Sequence, residues 1–184
     1  MSDDAPETRK LTVDMSDLEV AFDDSSGEAS SFLDLETGRV VAITDEIRGE
    51  LERVYEEADS PDGITPDAFE EALRRRDLPG WMKEAIREAD QVEDGFGIRY
   101  IRIPHDESRD AYGDMDAFID TVRDGRLQRI LAHAIQGSGA FRRFKDALDD
   151  DDQERERWFR FRDARLRERI LAWLRDEGID PALE

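Results

Sequence analysis

A group of arginine and aromatic side chains lies near the carboxy terminus of the sequence. On a helical wheel, Trp158, Phe161, Arg162, Arg165 and Arg169 fall within roughly a third of a turn. Guanidinium groups beside aromatic rings suit phosphate, carboxylate or stacked bases, and Trp and Arg are enriched in protein-binding hot spots. These residues are therefore candidates for a binding stripe, provided that they are exposed. The alternative is that the two rings pack in the core while the arginines pair with the protein's own acids.

The charge of this stretch differs in sign from that of the chain. Residues 155–175 hold eight basic and three acidic side chains, a local charge of +5, whereas the chain carries −21. An excess of acid this large disfavours nonspecific attachment to nucleic acid. An acidic or aromatic partner, most simply a protein, is the partner that the stretch fits best.

A second group of basic residues follows a glycine-rich turn. Gly137 and Gly139 flank Ser138, and Arg142, Arg143 and Lys145 come directly after it. Backbone amides at the start of a helix favour an anion, so these three residues join the predicted binding set. The turn lacks the Gly-Lys-Ser or Gly-Lys-Thr ending of a P-loop and follows a helix, not a strand. A flexible turn between helices is the simpler interpretation.

One acidic residue falls on the apolar face of the last predicted helix. Asp163 lies inside the arc formed by five apolar residues: Phe159, Leu166, Ile170, Trp173 and Leu174. An isolated buried charge costs several kcal/mol, so this carboxylate should be paired. We predict a structural ion pair with Arg142 or Arg143 that joins two helices, and no catalytic role.

The residue types that carry most enzyme chemistry are scarce. Cysteine is absent, which removes disulfides, thiolate catalysis and thiolate metal sites. The two histidines, His105 and His133, have no partners at metal-binding spacing. Carboxylates are so frequent that no acid-base pair stands out. We predict no catalytic residue, no metal and no cofactor, and an enzyme is the third choice of function.

The composition also indicates habitat and compartment. The basic residues are 24 Arg and 3 Lys, set against 48 acids. Such a chain repels itself in dilute buffer, and salt screens the repulsion, so we expect a salt-adapted or GC-rich bacterial source. No apolar run approaches the roughly 18 residues of a membrane span, and the first residues are acidic. We expect a soluble, cytoplasmic protein; no oligomeric state follows from the sequence.

Periodicity predicts an α+β fold with about four strands in a small antiparallel sheet, connecting helices and a helical carboxy-terminal half. Residues 1–16 should be a disordered tail and 17–180 a single domain. The predicted strands are 18–22, a hairpin over 31–43 that turns at Gly38, and 96–103. Predicted helices follow Thr44, Thr65 and Pro79, and helical spacing continues from residue 108 to the end, including 140–148 and 153–176.

Several of these segments resemble a known family. They are Phe32-Leu-Asp-Leu-Glu-Thr-Gly38, Ile98-Arg-Tyr-Ile-Arg-Ile-Pro104, Gly137-Ser-Gly-Ala-Phe-Arg-Arg-Phe-Lys-Asp146 and Glu156-Arg-Trp-Phe-Arg-Phe-Arg-Asp-Ala-Arg-Leu166. Together they are similar to an uncharacterised protein family, number 0158 of the UPF series, over about residues 30–179. The resemblance implies relatives without an agreed substrate, cofactor or catalytic residue. Ser138 departs from the larger polar or basic residue expected between the two glycines.

We therefore expect a non-enzymatic binding or regulatory module that recognises an acidic or aromatic partner through its last two helices. A nucleic-acid or nucleotide-binding module that uses the same arginines is the alternative. A salt titration separates the two, because phosphate contacts give a steep logarithmic dependence on salt.

Overall fold

The computed structural model describes residues 8–24, 26–59, 63–105 and 108–183. Contacts between Cα atoms divide the chain into two compact units. The helical unit contains residues 105–182 and the described parts of segments 1–10 and 18–25. The sheet unit contains residues 26–104 and segment 11–17. Each unit is described by itself below.

Thirteen elements follow one another along the described residues. They are β1 (Arg9–Val13), α1 (Met15–Asp23), β2 (Ala29–Asp34), β3 (Val40–Thr44), α2 (Asp45–Ala58), α3 (Pro66–Arg75), α4 (Gly80–Asp94), β4 (Tyr100–Arg102), α5 (Ser108–Thr121), α6 (Gly125–Ala134), α7 (Ala140–Leu148), α8 (Asp152–Asp176) and β5 (Ile179–Leu183).

A three-stranded antiparallel sheet forms the centre of the sheet unit, with strand order β3-β2-β4. The predicted hairpin is confirmed, because β2 pairs with β3 and Phe32 lies opposite Val41. Gly38 turns this hairpin with a φ of +77°, a conformation that favours glycine. On the other side of β2, Phe32 lies opposite Arg102 of β4.

Three helices complete the sheet unit, and two of them begin directly after Thr44 and Thr65, as predicted. The Thr44 hydroxyl accepts a hydrogen bond from the Ile47 amide at 3.3 Å, and the Thr65 hydroxyl accepts one from the Ala68 amide at 3.2 Å. The buried core combines residues from the sheet and all three helices: Phe32, Val41, Ile43, Ile47, Leu51, Val54, Ala58, Phe69, Ala72, Leu73, Met82, Ile86, Ala89, Val92 and Tyr100.

Helices α5 to α8 form the core of the helical unit. Buried side chains from these helices and from the residues that directly follow α5 and α6 form one cluster: Met115, Phe118, Ile119, Val122, Leu131, Ile135, Ala140, Phe144, Leu148 and Trp158. Helices α7 and α8 match the predicted spans 140–148 and 153–176 closely. The prediction of helix to the end of the chain is wrong, because β5 follows α8 and pairs with β1 in a two-stranded sheet.

The structure corrects two predictions near the amino terminus. Of the predicted tail, residues 1–7 lie outside the described part, but β1 spans Arg9–Val13 and buries Leu11 and Val13. The predicted strand 18–22 is part of helix α1. Leu18, Ala21 and Phe22 are its buried residues, at spacings of three and four, while Val20 is 72% exposed. Asp14 accepts a hydrogen bond from the Ser16 amide at 2.8 Å at the start of this helix.

The fold class is α+β, as predicted, with a helical carboxy-terminal half and three antiparallel strands where about four were expected. The single domain over 17–180 stays a prediction. Within the described ranges, no helix combines the length and the apolar character needed to cross a membrane.

Candidate functional site

A cavity of about 100 Å³ in the helical unit brings half of the predicted binding residues together. Helices α1, α5, α7 and α8 line it with nine residues: Asp23, Ala111, Asp114, Phe141, Lys145, Trp158, Arg162, Leu166 and Arg169. Four of these, Lys145, Trp158, Arg162 and Arg169, were predicted from the sequence. The cavity is therefore our candidate functional site.

Trp158 is a core residue as well as a wall of this cavity. Its side chain is only 6% exposed, and its ring lies 4.9 Å from the Phe144 ring and 5.3 Å from the Phe118 ring, both edge-on. Phe161 is half-buried and stacks on Trp158 at 6.3 Å. The two rings therefore do not form an exposed stripe; they complete the apolar cluster beneath α8, as the packed interpretation required.

Asp114 of α5 is the carboxylate that holds α8. Its side chain is 2% exposed, and its Oδ1 accepts a hydrogen bond from Arg165 Nε at 3.1 Å. Arg169 Nη1 donates to Asp114 Oδ2 at 2.9 Å and to Oδ1 at 3.1 Å. Two of the predicted binding arginines are thus engaged in neutralising one buried acid, as the alternative interpretation of the stretch required.

Arg162 lies at the edge of the cavity with its side chain 37% exposed. Its Nη2 is 3.3 Å from Asp23 Oδ2, and its Nε is 3.8 Å from Asp163 Oδ1. Both pairs are long and partly solvated, so they hold the guanidinium weakly. Arg162 is the α8 arginine on the cavity wall that an incoming anion could most readily recruit.

Two residues of α7 contribute exposed side chains to the cavity lining. Phe141 is 42% exposed, and Lys145, four residues further along the same helix, is also exposed. Side chains four residues apart on a helix lie on the same face. Lys145 forms no ion pair with any described residue, so its ammonium group can meet a partner's carboxylate. Phe141 is not among the residues predicted from the sequence, although it lies beside the predicted Arg142.

The other two basic residues of α7 lie away from the cavity lining. Arg143 donates hydrogen bonds to backbone carbonyls of the preceding turn: Ala134 at 3.0 Å, Gln136 at 2.5 Å and Ser138. It therefore fastens the turn and does not face an anion. Arg142 is 89% exposed, and its Nε lies 3.8 Å from Asp146 Oδ2.

The predicted buried ion pair at Asp163 is wrong. Asp163 is 58% exposed and lies near Arg162, while Arg142 and Arg143 have the partners described above. The buried residues of α8 are Trp158, Leu166, Ile170 and Leu174, and Phe159 is 45% exposed. The prediction assumed one apolar face along all 25 residues of α8. That face included Phe159, whereas the structure buries Trp158 at the start of the helix.

Asp114 was not predicted as a buried acid, although one feature of the sequence indicates it. Asp114 lies on the apolar stripe of α5, four residues before Phe118 and three after Ala111. An acid on an apolar stripe is expected to have a basic partner. The partners lie 51 and 55 residues further along the chain, a separation that periodicity within one helix cannot detect.

The lining gives the cavity a small positive charge and a mixed surface. Lys145, Arg162 and Arg169 face the carboxylates of Asp23 and Asp114, and two aromatic rings complete the wall. Within the part of the chain that the structure describes, no three His, Asp or Glu side chains are grouped as metal ligands would be. The chemistry that the lining supports is recognition of an anion beside an apolar group.

Comparison with known proteins places this region within a known family. The model of the Uncharacterised protein family (UPF0158) matches residues 83–184, which include every lining residue of the cavity except Asp23. A UPF0158 protein of Pseudomonas aeruginosa is 25% identical over 174 residues, which cover 95% of this chain and 88% of the relative. No solved structure matches the chain. The predicted resemblance is confirmed, and the hairpin segment 32–38 lies outside the family-model match.

Proposed function

This chain belongs to the Uncharacterised protein family (UPF0158), and from that premise we propose that it is a non-enzymatic binding or regulatory module. It recognises an acidic or aromatic group of a partner protein through the last two helices of its helical unit, α7 and α8. The contact is the mouth of the cavity described above, not the whole arginine stretch of α8. This surface is narrower than the stripe that the sequence allowed.

One observation carries this proposal. Phe141 and Lys145 are exposed on one face of α7 at the edge of a cavity that has a net positive lining, in a chain of charge −21. A ring next to an unpaired ammonium offers apolar contact and a charge-assisted hydrogen bond at one place. The surrounding acids repel other anionic surfaces, so attraction is confined to this mouth.

The size of the cavity favours a side chain as the occupant. Its volume of about 100 Å³ is smaller than the engineered cavity of about 150 Å³ that binds benzene. A carboxylate side chain fits such a space, and a nucleotide does not. The pairing of Arg165 and Arg169 with Asp114 also leaves fewer guanidinium groups for a phosphate backbone.

The proposal is tested with a peptide of alternating glutamate and phenylalanine, and with an oligothymidylate of the same length. Binding of each fluorescent probe is measured by polarisation at two salt concentrations. Phe141→Ala and Lys145→Ala should each weaken peptide binding about tenfold, the usual effect of losing a charged hydrogen bond or an apolar anchor. Arg142→Ala, an exposed residue on the same helix outside the cavity lining, is the matched control and should bind like the wild type.

Two results would overturn the proposal. Equal peptide affinity in the wild type and in both cavity variants would show that the mouth is not the site. Binding of the oligothymidylate alone, with a steep logarithmic salt slope, would favour the nucleic-acid alternative.

We also propose that the protein works in the cytoplasm of a salt-adapted bacterium. The absence of cysteine means that the chain gains no disulfide from an oxidising compartment. The large excess of acid suits a compartment with high salt, which screens the repulsion. Fractionation of native cells, followed by immunodetection, should find the protein with the cytoplasmic markers; recovery with membrane or periplasmic markers would contradict this.

A further inference from the structure

A second and larger cavity lies within the sheet unit, between α2, α3 and α4. Its volume is about 340 Å³, within the range of about 300–1,000 Å³ that is usual for small-molecule sites. Four of its lining residues are apolar or aromatic: Tyr55, Ile64, Pro66 and Phe69. The rings of Tyr55 and Phe69 are in contact, with centroids 6.0 Å apart.

The charged part of the lining is mostly acidic. Among the described lining residues, Glu70, Asp90 and Asp94 are acidic and Arg87 is basic. Arg87 donates two parallel hydrogen bonds to Glu70, from Nε at 2.7 Å and from Nη2 at 2.9 Å. This bidentate geometry satisfies both groups, so Arg87 neutralises Glu70. Asp90 and Asp94 remain as two carboxylates that form no ion pair with a described residue.

A tyrosine fixes one of these carboxylates in place. The Tyr55 hydroxyl donates a hydrogen bond to Asp90 Oδ1 at 2.8 Å. Burial raises the pKa of Asp90; the hydrogen bond from Tyr55 lowers it, whereas repulsion by Asp94 and Glu70 raises it further, and the result is a raised pKa. The carboxylate is thus held at one position in a field of like charges, and a cation beside it would relieve that repulsion.

We propose that this cavity binds an organic cation, a guanidinium or primary amine on a short apolar chain. Asp90 and Asp94 bind the cationic head, and Tyr55 positions Asp90. The apolar chain lies along Phe69 and Ile64, a surface that favours an organic cation over a hydrated metal ion. The cation belongs either to a free small molecule or to a basic side chain of a peptide, because both present the same head group.

The test uses agmatine as the small-molecule probe and an acetylated, amidated arginine tripeptide with glycine flanks as the peptide probe. Their affinities for the full chain are measured by titration calorimetry in 0.15 M salt. Asp90→Asn should weaken binding about tenfold or more, because it removes the charge that faces the head group. Glu84→Gln removes an equal charge from an exposed position on the same helix and should leave the affinity unchanged.

A second variant separates positioning from charge. Tyr55→Phe keeps the ring and removes the hydroxyl that holds Asp90, so it should weaken binding by severalfold while Asp90 keeps its charge. Preference for agmatine identifies a small-molecule site, and preference for the tripeptide identifies a peptide site. Equal affinity in the wild type, Asp90→Asn and Glu84→Gln would show that the probes only associate with the acidic surface, and would overturn the proposal.

This inference does not depend on the proposed function of the helical unit. The two sites share no residue and are tested with probes of opposite charge, so the failure of one leaves the other standing.

Discussion

The two units of the chain organise charge in opposite ways. The cavity of the helical unit has three basic and two acidic lining residues, whereas the cavity of the sheet unit has one basic and three acidic ones. The net charge of −21 therefore hides one positively lined cavity and one negatively lined cavity. A charge count for a whole chain predicts its behaviour in salt better than it predicts which ligand a cavity takes.

Each unit also buries one carboxylate against arginine. In the helical unit Asp114 joins α5 to α8 through Arg165 and Arg169, so this ion pair connects two helices. In the sheet unit Asp34 pairs with Arg99 at 2.7 Å and accepts a hydrogen bond from the Glu36 amide at 2.9 Å, so this pair fixes a hairpin turn. Asp114 therefore stabilises the packing of two helices, whereas Asp34 stabilises a local turn.

The largest effect is expected from Asp114→Ala. The change removes the buried carboxylate that joins α5 to α8 and takes one acidic partner from each of Arg165 and Arg169. Breaking a buried pair costs about 3–5 kcal/mol. Arg165 is 45% exposed and can turn to water, so we expect about 3 kcal/mol in the free energy of unfolding, measured with urea. Asp163→Ala, an exposed acid on α8, is the control and should cost less than about 0.5 kcal/mol. If Asp163→Ala lowered the free energy of unfolding more than Asp114→Ala, the result would support the buried ion pair at Asp163 that the sequence predicted.

A comparable loss is expected in the sheet unit from Gly38→Ala. A Cβ atom at this position would lie 1.7 Å from the Thr12 carbonyl oxygen, and the φ of +77° is unfavourable for alanine. Strain and displacement of the backbone together should cost about 3 kcal/mol. Gly27 has a similar φ of +71° but open space around it, so Gly27→Ala should cost only about 1 kcal/mol. Equal urea midpoints for the two variants would contradict the close approach at Thr12.

The hairpin acid gives a smaller, pH-dependent effect. Burial by itself would raise the pKa of Asp34, but hydrogen bonds from Arg99 and the Glu36 amide outweigh it and hold the pKa at about 2, below the usual 3.8. A carboxyl group whose pKa is lower in the folded than in the unfolded state stabilises the protein at pH values above its unfolded-state pKa. This stabilisation is lost as the pH falls through the folded-state pKa. The free energy of unfolding of the wild type should exceed that of Asp34→Asn by about 2 kcal/mol above about pH 4. This difference should become small as the pH falls toward about 2. A gap that is constant from pH 6 to pH 2 would contradict the lowered pKa.

The last prediction concerns salt, whose effect on any single charged group is the smallest but acts on all the surface charges together. The excess of acids should repel itself less as salt is added, since the Debye length falls to about 3 Å at 1 M. We expect the melting temperature to rise from low salt to molar potassium chloride. A melting temperature that falls over this range would contradict salt adaptation.

Much of the fold could be predicted because its signals are local. The turn at Gly38, the helix starts after Thr44 and Thr65, and the spans of α7 and α8 depend on residues close together in sequence. The structure confirms each of them. Helix α1 was missed because Leu18, Val20 and Phe22 alternate like a strand. Leu18 and Phe22 are also four residues apart, so a short segment satisfies both periods and the tertiary contacts decide.

The site was harder to predict because its contacts are distant in sequence. The sequence identified the residue types of the helical cavity, and the structure brings Lys145, Trp158, Arg162 and Arg169 together. It did not identify Asp114, whose partners lie more than fifty residues away. Without that acid, the arginines of α8 looked free and the surface looked larger than it is.

The most direct test of the two opposite cavities is a pair of amide-resonance titrations on the full chain. Propionate, a carboxylate small enough for the cavity of the helical unit, serves as the anionic probe and agmatine as the cationic one. We predict that propionate shifts resonances around Phe141 and Lys145, and that agmatine shifts those around Tyr55 and Asp90, with no overlap between the two sets. Shifts at the same residues for both probes, or shifts spread over the acidic surface, would contradict the account.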